Sequence, residues 1–180
     1  MKPPMVRTTI AVAVILTAFT TSIVRASTGH KLNSQQAEVI EFWLNNHQGY
    51  RLANDADCVC DEDLRNIRRG YSGAWKPVPG YQPYVASGDF NGDGQVDFAV
   101  VVLNHSKGKR QFTLLVFNGP FESSEGAPAF VDSDLDLTGS GLFYGPPRPT
   151  PYRLVIGRFE SEGTTLLPHG ATYRKESFNP

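Results

Sequence analysis

Hydrophobic and polar positions follow two different periods along this chain, and the change between them divides it. Between Asn33 and His47, Ala37, Ile40, Trp43 and Leu44 recur at helical spacing among polar neighbours, which predicts an amphipathic helix. Asn33 or Ser34 stands where a cap accepts first-turn N–H groups. With Asn33 as the cap, Gln36 is placed to complete a capping box, and Gly49 to end the helix in a left-handed turn. A second, shorter helix is expected over Glu62–Arg69. Asp61 would cap it, Glu62 and Asp63 would face the positive end of its dipole, Arg68 and Arg69 the negative end, and Gly70 would terminate it.

After Gly70 the helical period disappears. Tyr81–Ser87, Val96–Leu103, Gln111–Phe117, Tyr152–Phe159, Thr164–Leu167 and Ala171–Arg174 are short, rich in β-branched and aromatic residues, and separated by turn residues, so they read as strands. The connections His105–Lys109 and Ser161–Gly163 are too short for a parallel crossover, so their flanking strands must run antiparallel. Val100, Val101, Val102 and Leu103 are consecutively apolar, the mark of a strand covered on both faces. The fold class that follows is α+β: N-terminal helices packed on one face of a mainly antiparallel β-sheet. The stretch Gly119–Pro151 holds six of the 13 prolines, so it is expected to be irregular apart from a short strand at Ala129–Val131.

Composition narrows the class. A chain of 180 residues suits one cored domain, and 19% charged with 11% aromatic residues argues against disorder. Lys2 and Arg7 precede an uncharged stretch, Thr8–Val24, densest in apolar residues over Ile10–Phe19, and Val24-Arg25-Ala26 offers small residues to a signal peptidase. Residues 1–26 are therefore expected to be a secretory signal peptide and 27–180 a single exported domain, secreted or periplasmic. The alternative is a retained anchor, but that apolar part is short for the hydrocarbon layer and diluted by Thr17, Thr20, Thr21 and Ser22, so no stable membrane insertion is expected after cleavage. Cleavage removes Lys2, Arg7 and Arg25 and no acid, taking the net charge from −1 to −4. A mildly acidic domain has no electrostatic reason to seek nucleic acid.

The strongest chemical signal is the run Gly88-Asp-Phe-Asn-Gly-Asp-Gly-Gln-Val-Asp-Phe-Ala-Val100. Counting from Asp89, oxygen side chains fall at positions one, three, five and nine, with Gly94 at position six. Hard cations such as Ca2+ take six to eight oxygen ligands, and alternate residues of a tightly wound loop turn inward around one point while glycine allows the bend. The expected ligands are Asp89, Asn91, Asp93 and Asp97 through side chains and Gln95 through its backbone carbonyl, with water completing the shell. The competing explanation is a metal-free hairpin turn, because Asp and Asn favour turns on their own account.

The spacing departs from an EF-hand, which needs a glutamate at position twelve heading an exit helix; here that position is Val100, inside a β-branched run. The loop resembles instead the calcium loop of FG-GAP and VCBS-type repeats, matching their pattern over Gly88–Val100 without a gap. That resemblance implies a loop joining two antiparallel strands, with Asp89, Asn91, Asp93 and Asp97 holding Ca2+. Such families repeat the unit around a propeller, whereas this chain has one good copy, as in small secreted bacterial proteins that carry a single such loop. Asp132, Asp134 and Asp136 repeat the acidic spacing, but Leu137 replaces the glycine, so they are read as a turn with solvated acids rather than a second cation site.

The remaining constellations are weaker. Cys58 and Cys60 are the only cysteines, and in an exported protein they read as a structural disulfide in preference to a redox pair, because Asp55, Asp57, Asp61, Glu62 and Asp63 disfavour a thiolate. Those acids could also hold a cation, although helix capping accounts for Asp61–Asp63. His30, His47, His105 and His169 form no ligand pair, and no nucleophile motif appears. Tyr71, Trp75, Tyr81 and Tyr84, among prolines, suit either an aromatic platform for a glycan or peptide or, more commonly, core packing. The expected function is an exported, non-enzymatic domain in which structural Ca2+ fixes a surface that binds a protein or glycan. The alternative is a cell-envelope hydrolase or an inhibitor of one.

Overall fold

The computed structural model describes residues 32–70, 77–104, 111–145, 148–159 and 161–178. The expected signal peptide, the His105–Lys109 connection, and Tyr71 and Trp75 lie outside them. Short helices and mostly antiparallel strands follow one another in the order α1 (Ser34–Asn46), β1 (Tyr50–Leu52), α2 (Asp55–Cys58), α3 (Asp61–Arg69), β2 (Val85–Gly88), β3 (Asp97–Asn104), β4 (Phe112–Phe117), β5 (Phe130–Leu135), β6 (Ser140–Phe143), β7 (Leu154–Arg158), β8 (Gly163–His169) and β9 (Thr172–Phe178). Among the described residues no helix is long and apolar enough to cross a membrane.

Where one sheet was expected there are two. The first runs β1-β3-β4-β5, with β2 sharing the β1 edge of β3, and the second runs β6-β7-β8-β9. All pairings are antiparallel. Strand β3 is central and buried through Leu103, as its apolar run requires. Its side chains alternate between two cores. Phe98, Val100 and Val102 join Val39, Ile40 and Trp43 of α1 in one cluster, while Ala99, Val101 and Leu103 join a second cluster with Leu142, Leu154, Ile156, Leu166 and Tyr173 of the other sheet. The second cluster therefore lies between the sheets, as in a sandwich.

Helix α1 carries the capping box: Asn33 Oδ1 accepts the Gln36 N–H at 2.9 Å and Gln36 Oε1 accepts the Asn33 N–H at 3.0 Å. Its buried face is rotated from the one expected. Gln36, Val39, Ile40 and Trp43 are buried whereas Ala37 is exposed. Gln36 tolerates burial because its amide also donates to Ser87 Oγ at 3.2 Å. Helix α3 begins at Asp61, one residue early, and its cap position is Cys60, which makes no side-chain capping bond.

Three elements escape the sequence pattern: β1, the single-turn α2, and β6. The strand expected from Tyr81 starts only at Val85, because Tyr81 and Tyr84 instead send their hydroxyls to the Leu142 and Leu137 carbonyls, at 3.2 and 2.8 Å. Both rings are buried, so neither belongs to an exposed aromatic platform. Asp132-Ser-Asp134 is also not a turn. It lies on β5, at a register shift opposite Phe112–Leu114, with Asp134 at φ 60°. That is a bulge on a strand paired to only one neighbour in its sheet, a common way of ending a ladder.

Candidate metal centre

The loop from Asp89 to Asp97 joins β2 to β3, two antiparallel neighbours paired up to Gly88 and Asp97. Its winding is set by Asp89. One carboxylate oxygen accepts the Gly92 and Asp93 N–H groups at 2.6 and 3.1 Å, and the other accepts the Gly94 N–H at 2.9 Å. Closing so small a ring requires left-handed backbone at Gly92 and Gly94, both at φ 84°. Asn91 Oδ1 accepts the same Asp93 N–H at 2.9 Å, so oxygens from positions one and three meet on one hydrogen. Asn91 also donates to Asp93 Oδ2 at 3.0 Å, and Asp93 Oδ1 accepts the Gln95 N–H at 2.7 Å.

Asp89, Asn91 and Asp93 are thus gathered on one turn, with Asp93 and Gln95 exposed and the other two half-buried. Asp97 stands apart at the base of the loop and is fully buried. One of its oxygens accepts the Phe90 and Asn91 N–H groups at 2.8 and 3.3 Å, and the other accepts the Gly119 N–H at 3.0 Å. Burial raises its carboxyl above the ordinary range, against the lowering effect of those three N–H donors, and the Asp93 charge pushes it further up.

Two tyrosines from the second sheet reach this loop. The Tyr144 hydroxyl, one residue past β6, donates to the Asp89 carbonyl at 2.9 Å, and its ring lies so close over Gly88 that a Cβ there would collide with it. Tyr173 on β9 donates to Asn118 Oδ1 at 2.7 Å and lies 3.4 Å from Asp97 Oδ2. Burial and the Asp97 carboxylate hold the Tyr173 phenol far above its usual range. Neither contact was visible in sequence, since β6 and β9 are separated from the loop by some fifty residues or more.

Among the described residues no group of three or more His, Cys, Asp or Glu side chains is close enough together to hold a metal ion. Two loop carboxylates are turned onto backbone N–H groups, Asp89 within the turn and Asp97 beneath it. The donor chemistry nevertheless fits a hard cation. Asp89 and Asp93 supply carboxylate oxygens and Asn91 an amide oxygen, and among the described residues the groups around buried Asp97 are N–H donors, a phenol and another acid, none positively charged.

Two of the acids near the cysteines, Asp55 and Asp57, pair with arginines. Asp57 takes a two-pronged contact from Arg51, both bonds at 2.6 Å, and Asp55 accepts from Arg68 at 2.7 Å. Cys58 and Cys60 form a disulfide pair with Val59 between them at φ 55°. A groove of about 370 Å³ runs between β5 and the second sheet, with Asp132 and Lys175 paired across it at 2.8 Å and Arg158 and Glu162 along its wall. The chain matches no model of a known protein family, no curated protein and no solved structure.

Proposed function

We propose that this protein is an exported calcium-binding domain in which Ca2+, held by Asp89, Asn91, Asp93, the Gln95 carbonyl and Asp97, is structural and fixes a surface that binds a protein or glycan partner. The single observation supporting the reading most is the convergence of Asp89 Oδ1 and Asn91 Oδ1 on the Asp93 N–H, with Asn91 and Asp93 themselves in contact. A turn wound this way concentrates oxygen donors with no cation among its hydrogen-bonding partners in the described residues, and it does so between two antiparallel strands. Bound Ca2+ would supply positive charge where, among the described residues, Asp89, Asp93 and the buried Asp97 meet backbone N–H dipoles and Asp93 acts on Asp97. The role is structural because an ion that binds only the folded form adds stability by mass action.

Isothermal titration of the residue 27–180 protein with Ca2+ tests this reading. One saturable site is expected, lost in Asp93→Ala and retained when Asp134, on the β5 bulge, is replaced by alanine. Absence of heat in the unsubstituted protein would overturn it.

A further inference from the structure

The loop belongs to the first sheet by sequence, yet its hydrogen bonds tie it to the second. Tyr144 holds the Asp89 carbonyl, while Phe90, fully buried in the core between the sheets, meets the Tyr144 ring edge-on at a centroid distance of 5.1 Å. Tyr173 holds Asn118, the residue before Gly119, whose N–H fixes Asp97. Both ends of the loop, position one and position nine, are therefore braced by phenols from the opposing layer. A Cβ on Gly119 would collide with the Val96 carbonyl, so the Asn118–Gly119 segment also lies directly against the end of the loop that precedes β3.

We infer that Tyr144 and Tyr173 are positioning residues of the loop, so that loop order and docking of the second sheet on the first form one linked equilibrium. Neither phenol is a ligand. Each acts through a group of the loop: Tyr144 through the Asp89 backbone, Tyr173 through the Asn118–Gly119 segment that orients Asp97. Linkage is reciprocal. Whatever factor sheet docking contributes to ion affinity, the ion returns to sheet docking. The calcium half of this inference rests on the metal reading above; the positioning half stands on the hydrogen bonds alone.

The experiment compares Tyr144→Phe and Tyr173→Phe with Tyr81→Phe, a control that loses a hydroxyl bond between the same two layers, to the Leu142 carbonyl, away from the loop. With chelator present, amide hydrogen exchange at Phe90, Asn91 and Gly119, the donors to Asp97, is expected to quicken by about three- to tenfold in both loop variants, the loss of one hydrogen bond. The Tyr81 variant is expected to leave these amides unchanged. With calcium, titration is expected to show affinity weakened by a similar factor in the two loop variants only, and exchange in β6–β9 of the unsubstituted protein to slow on ion addition. Unchanged loop exchange in both loop variants, or equal quickening in Tyr81→Phe, would overturn the positioning role. If the unsubstituted protein binds no calcium, the metal reading fails while the chelator measurement still decides the positioning role.

Discussion

Asp97 and Asp93 carry the same carboxylate four residues apart and are expected to respond unequally to removal. Asp97 accepts three backbone N–H groups in a fully buried site, so Asp97→Ala leaves those donors without their acceptor. Urea unfolding with chelator present should show a loss of about 2–3 kcal/mol for Asp97→Ala. Asp93 is exposed and accepts within its own turn, so Asp93→Ala should cost under about 0.5 kcal/mol in chelator, yet abolish any calcium response. Equal losses for the two would contradict the division between a loop-base staple and a solvent-facing donor. Sequence spacing groups both residues as oxygen donors; it does not register that Asp97, as the first residue of β3, also accepts three backbone N–H groups.

At the scale of elements, the start of α1 depends on local capping chemistry. The Asn33–Gln36 capping box is reciprocal, and Gln36 continues from it to Ser87 on β2, whose hydroxyl donates to the Asp97 carbonyl at 3.2 Å. Asn33→Ala is expected to lower stability by about 1 kcal/mol in urea titration, as loss of a cap does. No change would show that the cap is not formed in solution. Strand β3 was legible because four consecutive apolar residues leave no polar face, and its alternation between two cores follows from that. Helix α1 was legible in position but not in rotation, since a buried glutamine with partners on both amide atoms cannot be told from a surface one by pattern. Strands β1 and β6 were missed because they span three and four residues, too few for a period to register. Asp132 and Asp134 read as part of a turn for a related reason: the bulged strand β5 shows no apolar alternation, since Asp132 faces Lys175 across the groove while Val131 is exposed.

For the whole molecule, the layers themselves carry a pH dependence. Tyr81 is buried between the sheets with its hydroxyl on the Leu142 carbonyl, and burial holds its phenol well above the usual range. Its pKa is raised in the fold, so its contribution to stability is fully present below the unfolded phenol's value of about 10 and is lost as pH rises beyond it, because the unfolded chain releases the proton first. Stability measured from pH 8 to 11 should fall in its upper part, and less steeply in Tyr81→Phe. An identical slope in the variant would contradict the assignment. What the sequence did not reveal at this scale is the second sheet as a separate layer, because its residues, such as Leu142 and Tyr173, contact residues that precede them by tens of positions.

The measurement that bears most directly on the central claim is thermal unfolding of the 27–180 protein with saturating Ca2+ and with chelator, beside Asp89→Ala. An ion at a hundred times its dissociation constant adds about 2.7 kcal/mol, which for a domain of this size raises the melting temperature by roughly 5–10 °C. That rise is expected in the unsubstituted protein and is expected to vanish in Asp89→Ala. Identical melting temperatures with calcium and with chelator would contradict a structural calcium site in the Asp89–Asp97 loop.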